Sequence, residues 1–154
     1  MLRGIFLSLA AMTMAVPALA AEMITKTSPY SVHETVDRLE AAATDAGATV
    51  FARVDHAEGA KKVDMELRPT VLLVFGNPKL GTPAMQDAQT AGLDLPLRVL
   101  AYADESGDVH VTYRDPVALS EDHGLAADAD YLSKMAGALD KLTSKAIAKY
   151  AQRC

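Results

Sequence analysis

One apolar run near the middle of the chain limits the folds that this sequence can adopt. Residues 70–75 read TVLLVF, which is continuously apolar after the threonine and β-branched at its start. Such a run is typical of a strand that other elements cover on both faces. The sequence therefore predicts a central strand over 70–75 with both faces buried.

The residues before this run predict a strand, a helix and a second strand. The first strand is expected over 23–27. A capping box at 31–34 (SVHE) marks a helix start, because its serine oxygen can accept a backbone N–H and its glutamate can reach back. Gly47 is a suitable stop for that helix. The second strand is expected over 49–56, followed by a polar connection at 57–62. Three side chains of the second strand are expected to face the core: Val50, Ala52 and Val54.

The second half of the chain predicts a short helix, a hairpin and a long helix. Residues 85–91 suit a short helix, and 97–103 with 109–113 suit a hairpin, because the junction DESGD is a strong turn signal. A long helix over about 128–152 carries an apolar stripe with helical spacing: Leu132, Met135, Leu139, Leu142 and Ala146. The predicted order is β-α-β-β-α-β-β-α. It describes a single compact α+β domain with a mixed or antiparallel sheet packed against helices.

The first twenty residues are typical of a secretory signal peptide. Arg3 precedes an apolar run, and 18–20 (ALA) matches the small-x-small pattern, so cleavage is expected after Ala20. A membrane helix is the alternative, but the run is shorter than the ~20 residues that span a bilayer. We therefore expect residues 21–154 to form one periplasmic or secreted domain with no stable membrane insertion after cleavage.

Charge and cysteine content narrow the possible partners. The chain has 15 basic and 20 acidic residues, a net charge of −5, and such an acidic balance argues against nucleic acid. The sequence contains no block of Lys and Arg residues that would indicate binding to anionic lipid. The single cysteine, Cys154, cannot form an internal disulfide, so the fold does not depend on one. An intermolecular disulfide through Cys154 stays open.

The segment after the apolar run, 76–83 (GNPKLGTP), is the first candidate site. Its glycine spacing resembles a phosphate-binding loop, but Thr82 and Pro83 stand where that loop needs Lys and then Ser/Thr. Nucleotide binding at this segment is therefore not expected. Two interpretations remain. The segment is a turn in which Asn77 bonds nearby backbone, or Lys79 attracts a small anionic or carbonyl ligand that Asn77 and Thr82 orient.

Two Asp-His pairs are the second group of candidates. Asp55-His56 lies at a predicted strand end, where functional side chains often project, and Asp122-His123 follows the last strand. An acid beside a histidine can orient it, and two histidines with a carboxylate can bind a metal. A solvated strand end is the alternative interpretation of Asp55-His56.

The remaining histidines and the methionines indicate no further site. His33, on the first turn of a helix, and His110, on a strand, are expected to face solvent. The methionines after residue 20 are scattered without Met-x-x-Met spacing, so core packing explains them better than copper binding. No HExxH, CxxC or GxSxG motif occurs, and we assign no catalytic residue, metal or cofactor.

Four stretches together resemble the bacterial family called domain of unknown function 302. They are 54–57 (VDHA), 67–83 (LRPTVLLVFGNPKLGTP), 93–100 (LDLPLRVL) and 111–116 (VTYRDP). The resemblance covers roughly residues 24–125 and implies a compact α+β domain that is able to dimerise. It implies no established reaction and so transfers no catalytic residue. Six residues match the family pattern and are the candidate binding residues: Asp55, His56, Asn77, Lys79, Thr82 and Asp94.

Three hypotheses about function follow. The first is a secreted or periplasmic, non-catalytic binding or interaction domain, a candidate homodimer, in which Asp55 and His56 close a site around 77–82. That shared site requires the Cβ atoms of His56 and Asn77 to lie within ~12 Å of each other. The second is a small enzyme or metal-binding protein that uses His56 with Asp55 and, in one version, His123. The third is a purely structural dimerisation module.

Overall fold

The computed structural model describes residues 23–149. The predicted signal peptide and Cys154 lie outside the described residues. Ten main elements follow one another within them: β1 (Met23–Ser28), α1 (Val32–Asp45), β2 (Thr49–Asp55), α2 (His56–Lys61), β3 (Thr70–Gly76), α3 (Pro78–Asp87), β4 (Leu97–Ala103), β5 (Val109–Arg114), α4 (Leu119–His123) and α5 (Asp130–Ile147). Two 3₁₀ helices, Gln89–Leu93 and Pro116–Ala118, precede β4 and α4. The predicted α+β class is confirmed, and α2 and α4 are additions to the predicted order.

The five strands form one antiparallel sheet in the order β1-β5-β4-β3-β2. The central strand is therefore β4, with β3 beside it. Alternate side chains of β3 (Val71, Leu73 and Phe75) are buried in the main core with α1 and α5, whereas Leu72 and Val74 on the other face are half-buried. The prediction that both faces of this strand are buried is wrong, because Leu72 and Val74 on the second face keep part of their surface exposed.

The two long helices form where local signals predicted them. Ser31 caps α1 by accepting the N–H of Glu34 at 3.2 Å, and after α1 the chain turns through Gly47 with a φ of +78°. Glycine adopts this backbone conformation without steric cost. All five stripe residues of α5 are buried, although the helix begins at Asp130 rather than 128. No helix of residues 23–149 is long and apolar enough to cross a membrane.

The edge strand β2 departs from its predicted pattern. A bulge shifts its register with β3 between Val50 and Ala52, so the side chains that follow point to the opposite faces. Val50 still packs partly against the core, but Ala52 and Val54 are exposed. Arg53 faces the helices instead and pairs with Asp37 of α1. The prediction failed because the alternating sequence pattern of β2 does not indicate the bulge.

Two segments that were predicted as connections are helical. The polar connection at 57–62 is mostly α2, and 76–83 supplies the first half of α3. Pro78 is the first residue of α3, where its missing N–H has no intrahelical partner to lose. The predicted helix at 85–91 therefore has wrong bounds, because α3 begins earlier and ends at Asp87.

Candidate functional site

An apolar cavity of about 280 Å³ opens beside the start of α3. The end of β3, helix α3, the residues before β4, helix α5 and one side chain of β2 surround it. None of the residues that line it is charged, and carbon dominates its walls: Phe51, Leu80, Met85, Leu95, Pro96 and Met135. The volume exceeds the ~150 Å³ in which an apolar protein cavity binds benzene. The cavity is therefore large enough for a small organic molecule.

Two glycines leave this space open. A Cβ added to Gly76 would lie 3.3 Å from Cβ of Pro96, so glycine lets the end of β3 approach the residues before β4. A Cβ added to Gly81 would lie 3.8 Å from Cδ1 of Leu95 and 3.9 Å from Cε of Met85, both in the cavity wall. A side chain at position 81 would therefore project into the cavity.

Helix α3 is fixed against α5 at its C-terminal end. The hydroxyl of Tyr131 on α5 donates a 2.8 Å hydrogen bond to Oδ2 of Asp87. Burial, with the hydrogen bond to this carboxylate, raises the pKa of Tyr131 above its usual value. A second, smaller core that includes Ala84, Leu132 and Met135 packs beneath the two helices. The wall formed by α3 is thus held at two places.

The candidate residues Asn77, Lys79 and Thr82 all lie at the start of α3, beside the cavity. Asn77 caps α3, since its Oδ1 accepts the N–H of Lys79 at 2.9 Å, and its Nδ2 lies 3.5 Å from the carbonyl oxygen of Gly47. The side chains of Lys79 and Thr82 are exposed and make no hydrogen bond or ion pair with another described residue. Asn77 and Thr82 line the cavity, and Lys79 is flanked by two lining residues.

Asp55 and His56 lie at the junction between β2 and α2. Asp55 caps α2, because its Oδ1 accepts the N–H of Glu58 at 2.9 Å, while its Oδ2 lies 3.0 Å from Nε2 of His33. The hydrogen bond from the Glu58 backbone, followed by that from His33, lowers the pKa of Asp55 below its usual value. His56 is exposed and starts α2.

The shared site around His56 and Asn77 is wrong. Thr49 pairs with Gly76, whereas Asp55 pairs with Val71, so the two junctions lie at opposite ends of β3. The two ends of β3, Thr70 and Gly76, are six residue steps apart, which corresponds to roughly 20 Å. That distance exceeds the ~12 Å limit for a common site.

Asp94 forms a separate polar cluster with His123. Nε2 of His123 lies 2.8 Å from Oδ2 of Asp94, and its Nδ1 lies 3.1 Å from the hydroxyl of Thr90. The His123 side chain is 7% exposed, and Asp94 also accepts a 2.9 Å hydrogen bond from Arg98. Asp94 lies just before β4, and the first residue of β4, Leu97, pairs with Phe75 at the cavity end of β3. His123, which contacts Asp94, therefore lies far from His56, which is near the other end of β3.

His33 and His110 do not belong to a metal-binding group within residues 23–149. His33 is exposed, as expected, but His110 is half-buried rather than solvated, with Nε2 2.7 Å from Oδ2 of Asp104 and its ring 5.3 Å from that of Tyr102. The hydrogen bond with His110 lowers the pKa of Asp104. Across residues 23–149, no group of three or more His, Cys, Asp or Glu side chains is arranged to hold a metal ion.

The signal for the cavity walls was weak in the sequence. Asn77 and Thr82 belonged to a segment that the sequence singled out, but Phe51, Leu95 and Met135 come from three other parts of the chain. Each reads locally as an ordinary apolar residue. Their common role depends on tertiary packing, which no local spacing indicates.

Two curated relatives share a large part of this sequence. Fluoride-specific ion channel FluC 1 of Brucella suis biovar 1 (strain 1330) is 47% identical over 112 residues, which cover 73% of this chain and 44% of that protein. Fluoride-specific ion channel FluC 2 of Brucella melitensis biotype 1 is also 47% identical over 112 residues, covering 73% of this chain and 42% of that protein. The chain thus spans less than half the length of these relatives.

A solved structure and a family model agree on the fold and the family. An uncharacterized conserved protein DUF302 from Bacillus stearothermophilus aligns with a TM-score of 0.65 and 19% sequence identity, covering 83% of this chain and 97% of that one. This likeness shows a common fold. The model of the family described as "Domain of unknown function DUF302" matches residues 24–142, which is most of the sequence. The chain therefore belongs to the DUF302 family.

Proposed function

We propose that this domain is a non-catalytic binding module that takes a small organic molecule into the cavity beside α3. The observation that carries the proposal is the cavity itself, about 280 Å³ in volume and lined mainly by carbon. Small-molecule sites are typically concave and apolar, with a few polar groups that fix the orientation of the ligand. The hydroxyl of Thr82 is such a group, because no other described residue bonds to it.

The size of the cavity sets the affinity range in which a ligand should be sought. Burying about 200 Å² of apolar ligand surface contributes roughly 5 kcal/mol before the costs of association. Because about 4.1 kcal/mol corresponds to a dissociation constant of 1 mM, those costs leave binding at roughly millimolar strength or weaker. Titration followed by NMR is therefore suitable, with 1-octanol as the first probe.

A glycine substitution tests whether the cavity is the binding site. Gly81→Leu places a side chain between Leu95 and Met85, and we expect it to weaken octanol binding at least about tenfold by occupying the space. Gly137→Leu is the matched control. Gly137 is also a helical glycine, but a Cβ added to it meets nothing within 4 Å, in contrast to one added to Gly81. The proposal is rejected if octanol binds the Gly81→Leu protein as tightly as the original protein, or binds neither.

The proposal includes a location outside the cytoplasm and a homodimeric state. The signal-like pattern of residues 1–20 supports the location, and the family resemblance supports the dimer. Mass spectrometry of the protein purified from the periplasm tests both. Cleavage after Ala20 would leave 134 residues (154 − 20), and the native mass would be twice that of one chain. An uncleaved chain in the cytoplasm contradicts the location, and a monomeric native mass contradicts the dimer.

A second candidate function is an accessory role beside an ion channel. Its support is the 47% identity over 112 residues to proteins named fluoride-specific ion channels, more than half of whose length lies outside the match. On this ground the domain would contact the membrane part of such a channel. The immobilised domain is expected to retain detergent-solubilised Brucella suis FluC 1 from which the matched region has been deleted. Equal retention of an unrelated membrane protein, or no retention, contradicts this function.

A further inference from the structure

We propose that the ligand of this cavity is a small amphipathic carboxylate, with an aliphatic or aromatic body and an anionic head. The inference rests on the proposed function, since it names the ligand class for the same cavity. It assigns the body to the carbon-lined interior and the head to a rim that we define as Thr82, which lines the cavity, together with the adjacent Lys79, which does not.

The interior of the cavity selects an uncharged ligand body. No lining residue carries a charge, so an ionised group placed deep inside would lose its hydration without gaining a partner. Two of the walls are the thioether side chains of Met85 and Met135. Methionine is flexible and polarizable, and so adapts its shape to different apolar groups. The interior therefore suits a hydrocarbon portion of variable shape.

The rim of the cavity supplies a positive charge and a hydrogen-bond donor. Lys79 is the only cation in α3. It does not itself line the cavity, but its neighbours Pro78 and Leu80 do, so its long exposed side chain starts beside the cavity. Thr82 follows three residues later, which places it beside Lys79 on the helix surface. The ammonium group and the hydroxyl make no ion pair or hydrogen bond within residues 23–149. Both groups are thus available to a carboxylate bound beside the start of α3.

The rim distinguishes a carboxylate from a neutral carbonyl group. The Thr82 hydroxyl alone satisfies a carbonyl oxygen, whereas a carboxylate also gains from the charge of Lys79. Because Lys79 is exposed, this gain is modest and depends on salt. The preference for an anion should therefore be small, and Lys79 should account for all of it.

Three probes with the same eight-carbon chain test the inference: octanoate, 1-octanol and octylamine. We expect octanoate to bind about two- to fivefold more tightly than octanol at low salt, and octylamine to bind most weakly. In about 1 M salt the preference should disappear. Lys79→Gln should lower the affinity for octanoate to that for octanol. The matched control is Lys62→Gln, which changes an exposed lysine directly after α2, a helix that follows the β2 end paired with the opposite end of β3.

The outcomes separate this inference from the proposed function. If octanol binds as tightly as octanoate, the carboxylate assignment is overturned and the binding function stands. If Lys79→Gln keeps the preference, the assignment of the head to Lys79 is overturned and the binding function stands. The same conclusion follows if Lys62→Gln removes the preference as well, because the effect would then be one of net charge. If none of the three probes binds, the proposed function fails and the inference fails with it.

Discussion

Two strand-to-helix junctions in this protein use the same capping chemistry but differ in their surroundings. Asp55 accepts the N–H of Glu58 at the start of α2, and Asn77 accepts the N–H of Lys79 at the start of α3, both at 2.9 Å. The Asp55 junction meets solvent and His33, whereas the Asn77 junction opens on the cavity. An Asx residue before a helix is therefore explained by capping alone. Evidence for a site must come from what surrounds the junction.

Glycine shows how the surroundings decide the outcome. Gly59 lies in α2 and Gly81 lies in α3, each inside the first helix after its junction. A Cβ added to Gly59 would meet nothing within 4 Å, whereas one added to Gly81 would contact Leu95 and Met85. The same residue type thus makes a cavity only where other elements enclose the space.

The largest expected effect follows from removing a wall of the cavity. Met135 is 1% exposed and lies between the cavity and the second core. Met135→Ala should lower the free energy of unfolding by about 2–5 kcal/mol, because it deletes buried contacts and enlarges the empty space. Met65→Ala, at a methionine that is 64% exposed shortly after α2, should cost less than about 0.5 kcal/mol. Urea unfolding measures both, and equal costs would show that the cavity wall is not tightly packed.

An intermediate effect is expected from removing either cap. Asn77→Ala and Asp55→Ala should each lower the free energy of unfolding by about 1 kcal/mol, since each leaves a helix N–H without its acceptor. Only Asn77→Ala should also alter octanol binding, because Asn77 lines the cavity. Thermal unfolding and NMR titration of both variants test this. If Asp55→Ala weakened octanol binding to the same degree, the two junctions would be coupled and the contrast between them would be lost.

Much of the fold follows from local signals in the sequence. Ser31 and Gly47 mark the ends of α1, and the turn at 104–108 forms as predicted, with Oδ1 of Asp104 accepting the N–H groups of Ser106 and Asp108. The bulge in β2 and the half-buried second face of β3 were not predictable in this way. Both depend on how distant segments pair and pack, which the periodicity of one segment does not report.

The candidate site was predictable only in part for the same reason. Asn77, Lys79 and Thr82 were grouped because they are neighbours in sequence, and the structure places them at the start of a helix rather than in a loop. The Asp94 cluster was missed because its partner His123 lies 29 residues away. Joining His56 to Asn77 was an error of strand direction, because β2 and β3 are antiparallel and the end of β2 lies beside the start of β3.

The smallest expected effect is a pH dependence at the Asp55 junction. Hydrogen bonds from the Glu58 backbone and from His33 hold the pKa of Asp55 below its usual value of 3.8. The native state therefore binds a proton less readily than the unfolded state does. The stabilisation is present above the usual pKa and is lost as the pH falls through the lower native pKa.

Replacing this carboxylate by an amide isolates the titration from the cap. Asp55→Asn keeps an oxygen that can accept the N–H of Glu58 but does not ionise. The stability advantage of the original protein over Asp55→Asn should therefore shrink as the pH is lowered from about 6 to about 3. Asp128→Asn is the control, because Asp128 is exposed and bonds to no other residue within 23–149. Urea unfolding across this range measures the difference. A constant difference for Asp55→Asn would mean that the capping contact, and not the charge, stabilises this junction, as at Asn77.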